Sequence, residues 1–162
     1  MSEASFRNYG RMSFDQKVSE AIDTIKMGKR RLVDSESLIN SFFAGNREDQ
    51  SLIRDGLFQL QQGIELTTKG IIQYYGDSYL EEHRTKANAA LLENINLPEI
   101  QKHLSEACGI MEDDMFSYEC HKIATSEARY KTTRFDNNFL NNAQKVRDIL
   151  LRYINVYILF ED

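Results

Sequence analysis

The chain has 162 residues, of which 41% are hydrophobic and 28% charged, and its net charge is −5. That length suits one domain with a buried core, and the acidic total argues against a general polyanion-binding surface. A single proline and eight glycines argue against a loop-rich β fold, and no stretch approaches the roughly 18 apolar residues that span a bilayer.

Residues 1–12 lack the apolar core of a signal peptide, which predicts a flexible cytoplasmic arm, and a single domain is expected over 13–162. Ser13 followed by Gln16 matches a capping box, so a helix should begin there. Val18, Ile22, Ile25, Leu32, Ile39 and Phe42 keep helical spacing until Gly45 offers a C-terminal stop. The polar run "KMGKRR" inside this helix makes Gly28 a bend or an exposed turn.

A second helix is predicted over 49–76, with Ile53, Leu57, Leu60, Ile64, Ile71 and Tyr75 on one stripe. Gly56, Gly63 and Gly70 recur every seven residues within it. Each glycine costs up to about 1 kcal/mol relative to alanine in a helix interior. Three on one face therefore imply that another backbone approaches closely there.

Residues 77–95 are more broken, with a short helix expected over 86–95. Pro98 suits the first turn of the next helix, whose apolar side runs through Leu97, Ile100, Leu104, Ala107, Met111, Met115 and Tyr118. Asp136 or Asn137 can cap the last helix, where Phe139, Ala143, Val146, Leu150, Tyr153 and Tyr157 form the inward stripe. Its end, "INVYILF", is apolar almost all round and is either deeply buried or a self-association surface. No pattern supports a sheet, a repeat or a second domain. The expected fold is all-α, an up-and-down bundle of four to five helices.

Charge is unevenly distributed. Residues 77–119 carry ten acidic against three basic side chains, and residues 120–152 carry seven basic against three acidic. The second region contains "SEARYKTTRFDNN", residues 126–138, where Arg129, Tyr130, Lys131, Arg134 and Phe135 fall close together. Arg129 and Arg134 can grip phosphate in a forked geometry, and Tyr130 and Phe135 offer faces on which a base can stack. The alternative is a solvated corner in which Arg129 pairs with a carboxylate such as Glu65.

The string "LFQLQQGIELTTKGII", residues 57–72, resembles the signature of HEPN domains, the nucleotide-binding helical domains of prokaryotes and higher eukaryotes. Those domains typically carry a Gln-Gln-small-apolar-Glu-x-x-x-Lys-small-apolar run on a core helix. Here Gln61, Gln62, Gly63, Ile64, Glu65, Lys69, Gly70 and Ile71 fill it. "EHRTKANAALLENI" resembles the family's histidine before a short leucine-bearing helix and places His83 there. Arg129 and Tyr130 resemble its Arg-Tyr corner before the last helix. The resemblance covers 57–157, and the first helix fits by position only.

It implies nucleotide or RNA binding by Gln62, Glu65, Lys69, His83, Arg129, Tyr130, Lys131 and Arg134. It also implies a homodimer and a role beside a minimal nucleotidyltransferase in a toxin–antitoxin or defence system. Read from the residues alone, Glu65 and Lys69 are a surface i,i+4 ion pair contributing about 0.3–0.5 kcal/mol. Gln61 and Gln62 are placed to bond across to a neighbouring helix or subunit.

Many HEPN proteins are metal-independent ribonucleases whose motif is an arginine followed, after four to six residues, by a histidine. Histidine shuttles the 2′-hydroxyl proton and arginine stabilises the charge building on the phosphate. Here Arg134, Phe135 and Asp136 occupy the positions after Arg129, and His83, His103 and His121 all precede it. A kink bringing His121 to Arg129 would be needed for catalysis, so a non-catalytic module is expected, with the ribonuclease toxin as the alternative. A protein-interaction scaffold without a nucleotide is the third reading.

No metal or cofactor is expected. Cys120 beside His121 lacks a second ligand pair at tetrahedral spacing, and Asp113 with Asp114 shows no partners for a hard cation. Cys108 and Cys120 read as reduced, partly buried thiols.

Overall fold

A computed structural model describes residues 13–45, 48–125 and 136–161. Six helices lie among them: α1 (Phe14–Phe43), α2 (Gln50–Tyr74), α3 (Thr85–Glu93), α4 (Pro98–Met111), α5 (Asp114–Ala124) and α6 (Asn137–Tyr157). No strand is formed among the described residues, and no described helix is long and apolar enough to cross a membrane. The arm, residues 1–12, lies outside the described residues.

Local chemistry sets the helix ends. Ser13 accepts from the Gln16 N–H at 3.2 Å while Gln16 Oε1 accepts from the Ser13 N–H at 2.9 Å, completing the capping box that starts α1. Asp49 caps α2 through the Ser51 N–H at 3.1 Å, and Asp136 caps α6 through the Asn138 N–H at 3.0 Å. Beyond α2, Gly76 takes φ +88°, a left-handed turn that glycine enters at least cost.

The α1–α2 pair is the spine. A Cβ on Gly56 would lie 2.8 Å from Ile39 Cγ1, one on Gly63 2.9 Å from the Leu32 nitrogen, and one on Gly70 3.2 Å from the Ile25 nitrogen. Ile25, Leu32 and Ile39 are themselves seven apart and fully buried. Each heptad step up α1 therefore meets a glycine one step back down α2, the antiparallel seam that a 3.5-residue period produces. The close backbone approach inferred from the three glycines is present. Gly28, expected as a bend or an exposed turn, is instead buried within α1, where a Cβ would lie 2.8 Å from the Thr67 backbone nitrogen.

The bundle departs from expectation at one joint. The apolar run through Met115 and Tyr118 is not one helix side, because the chain breaks at Glu112 and Asp113. The Asp113 carboxylate accepts from the Phe116 N–H at 3.0 Å and starts α5 afresh. Phe116 and Cys120 turn into the core, while Met115 and Tyr118 are left exposed. This second start raises the helix count above the four or five expected.

The "INVYILF" segment is amphipathic in the fold. Ile154 and Ile158 are buried, whereas Val156 and Phe160 are exposed.

Candidate functional site

The residues of the glutamine–glutamate–lysine run and His83 converge. His83 lies on the connection between α2 and α3, and four contacts hold that connection. The buried Asn88 of α3 accepts from the Leu80 N–H at 2.8 Å and donates to the Leu80 carbonyl at 3.0 Å. Lys69 Nζ donates to the Glu82 carbonyl at 2.9 Å and sits 5.5 Å from the centre of the Tyr79 ring. Glu82 itself has φ +64°, a left-handed conformation that a non-glycine residue holds only when its surroundings impose it.

So held, His83 presents Nδ1 to Glu65 Oε1 at 2.7 Å. Lys69 Nζ approaches the other oxygen of the same carboxylate at 3.5 Å. Gln61 Nε2 also donates to Oε1 at 3.2 Å, and Gln62 Nε2 donates to Gln61 Oε1 at 2.8 Å. A carboxylate accepts and does not donate, so the imidazole Nδ1 carries a hydrogen in this contact. The side chains of Glu65 and Lys69 are 9% and 12% exposed, against 35% for His83. The His121 ring, from the last turn of α5, stands edge-on to that of His83 with centroids 6.4 Å apart.

Two expectations are corrected here. Glu65 and Lys69 are not a surface pair: the carboxylate is nearly buried and shared by three donors, which makes it a fixed anchor rather than a solvated charge. Gln61 and Gln62 do not reach a neighbouring helix, since their bonds run along α2 to each other and to Glu65.

Arg129, Tyr130, Lys131 and Arg134 lie outside the described residues, as does the expected Arg129–Glu65 pair. No group of three or more metal-binding side chains occurs among the described residues. Cys108 and Cys120 are free and buried, and burial pushes each thiol up to about 12. That makes them poor nucleophiles and poor metal ligands. A cavity of about 420 Å³ lined by Asp113, Glu119 and Asp136 contains none of the resembling residues that are described.

Sequence reasoning passes over His103 and the tyrosines around it. His103 Nε2 lies 2.8 Å from the Tyr157 hydroxyl, Tyr157 stacks on Tyr153 at 5.0 Å, and the Tyr153 and Tyr75 hydroxyls meet at 2.5 Å. Burial first, and then the bond to Tyr75, hold the Tyr153 hydroxyl above the usual phenol range. In the sequence Tyr75, Tyr153 and Tyr157 stand only as apolar-stripe positions, and nothing in their spacing announces the histidine.

No protein-family model, curated protein or solved structure matches the chain.

Proposed function

We propose that the chain is a HEPN-like nucleotide- or RNA-binding module, non-catalytic, whose recognition centre is built around His83. The observation that carries this is the convergence of His83, Lys69 and Gln61 on the nearly buried Glu65 carboxylate. A surface ion pair needs no such support. An imidazole held by a carboxylate, on a connection with a left-handed glutamate, is the kind of fixed polar group found at ligand sites.

In this reading Glu65 and Lys69 position the ring and His83 Nε2 faces the ligand. Arg129, Tyr130, Lys131 and Arg134, beginning eight residues after His121 in sequence, supply phosphate and base contacts. Homodimerisation and action beside a nucleotidyltransferase in a toxin–antitoxin or defence system belong to the same proposal and rest on the resemblance.

Thermal unfolding with a panel of nucleotides and short RNAs tests it. A ligand at 100 times its dissociation constant stabilises the native state by about 2.7 kcal/mol, and His83→Gln should abolish that gain. No shift with any ligand would leave a protein-interaction scaffold.

The paired rings of His83 and His121 favour a second reading, metal-independent RNA cleavage. One imidazole would take the 2′-hydroxyl proton as that oxygen attacks phosphorus. The other would protonate the departing 5′-oxygen, leaving a 2′,3′-cyclic phosphate. Cleavage lost in both His83→Gln and His121→Gln would establish it.

A further inference from the structure

A second cavity lies between α4 and α6, sharing no residue with the Glu65 centre. It measures about 220 Å³ and is lined by Lys102, His103, Ile149, Arg152, Tyr153, Val156 and Tyr157. In a chain of net charge −5, this lining holds two cations and a histidine and, among the described residues, no carboxylate.

The acids nearest in sequence are engaged elsewhere or stand outside. Glu106, one turn after Lys102, pairs with Lys145 at 2.7 Å. Asp148, one turn before Arg152, pairs with Arg147 at 3.0 Å. Glu99, one turn before His103, is not part of the lining. Among the described residues neither Lys102 nor Arg152 forms an ion pair. Both are exposed and line the cavity, while the Glu99 carboxylate acts on the Tyr153 hydroxyl at its floor without pairing with either cation.

The floor is rigid where the mouth is charged. Tyr157 is held between the His103 ring at 5.2 Å and the Tyr153 ring at 5.0 Å. The Tyr153 hydroxyl is tied in turn to that of Tyr75. When the Tyr157 phenol donates to His103 Nε2, the imidazole Nδ1 carries the hydrogen and adds a third donor beside the two cations. Ile149 and Val156, seven residues apart on α6, form an apolar wall on either side of Arg152. The volume falls below the roughly 300–1,000 Å³ of drug-sized sites, which limits the occupant to one ring or a short chain with an anionic group.

We propose that this cavity binds a small organic phosphate, its phosphoryl oxygens held by Lys102, Arg152 and His103 and its apolar body against Ile149 and Val156. Arginine and lysine donors suit phosphate. The apolar wall gives a phosphate ester an advantage over inorganic phosphate, because burying its body adds stabilisation in proportion to area.

The test is a titration of the full chain with phenyl phosphate, followed by amide chemical shifts, with inorganic phosphate, phenol and a 5′-phosphorylated RNA dinucleotide in parallel. Saturable shifts centred on Lys102, His103, Arg152 and Val156 are expected, tighter for phenyl phosphate than for inorganic phosphate and absent for phenol. Lys102→Ala and Arg152→Ala, both at exposed positions, should each weaken binding about tenfold. Lys26→Ala, at an exposed cation of α1 outside both sites, should leave it unchanged, and shifts centred on His83 instead would report the Glu65 centre, so that failure here is distinguishable from failure there. Shifts that are diffuse or unsaturable, or affinity indifferent to Arg152→Ala, would overturn the proposal. Tighter binding of the dinucleotide would assign the cavity to a nucleic-acid end and overturn the small-molecule assignment.

Discussion

His83 Nδ1 lies 2.7 Å from Glu65 Oε1 although 18 residues separate them in sequence. The carboxylate is the anchor and the imidazole the exposed member, so the two respond differently to substitution. Lys69→Met removes a partner from a nearly buried charge and should cost about 1–3 kcal/mol in urea unfolding. His83→Gln, at a half-exposed ring, should cost less than about 1 kcal/mol while removing the response to ligand. A stability loss for His83→Gln as large as that for Lys69→Met would make the histidine a structural clasp.

Two glycines, one in the α1–α2 seam and one away from it, should respond oppositely to alanine. Gly28→Ala places a methyl 2.8 Å from the Thr67 nitrogen, so the helices must part. Alanine favours a helix by about 1 kcal/mol, yet overpacking should leave the variant about 1–3 kcal/mol less stable. Gly109, in α4, has nothing within 4 Å of the point where a Cβ would stand, and Gly109→Ala should stabilise by about 0.5–1 kcal/mol. Chemical denaturation of both variants checks the sign of each.

Asp113 starts α5 by accepting from the Phe116 N–H at 3.0 Å. Asp113→Ala should cost about 0.5–2 kcal/mol, and Asp113→Asn, which keeps an acceptor, should restore most of it. Equal losses in both variants would mean that the charge, not the cap, holds the joint.

The two thiols predict an alkaline limb. Burial pushes Cys108 and Cys120 up to about 12, whereas an unfolded thiol ionises near 8.5. Between those values the unfolded chain binds fewer protons than the folded one. Their contribution is therefore fully present below about pH 8.5 and falls as pH rises toward 12. Cys108→Ala or Cys120→Ala should flatten the decline, measured as urea stability from pH 8 to 10. Iodoacetamide at pH 8 should label neither thiol until the chain is unfolded.

Helix starts are legible in the sequence because they are local. Ser13 with Gln16, Asp49 and Asp136 act on N–H groups two or three residues away, so a short run of residues contains both partners. The heptad glycines of α2 are legible for a related reason: a repeated cost in helix propensity has to be offset by something close. Gly28 is not, because it lies within a run of lysines and arginines yet faces Thr67, and composition averaged over the run hides that. The break at Asp113 is hidden because Met115 and Tyr118 continue the apolar spacing set by α4.

The sequence by itself determined an all-helical chain, the caps at Ser13, Asp49 and Asp136 and a close backbone approach at the heptad glycines, since these follow from neighbours and from period. Only the tertiary structure decided that Glu65 is a shared, nearly buried anchor rather than half of a surface pair. It alone also joined His103 to the tyrosines of α6 beside two cations that form no ion pair among the described residues. Both depend on side chains brought together from separate helices, and burial changes what a charge is worth.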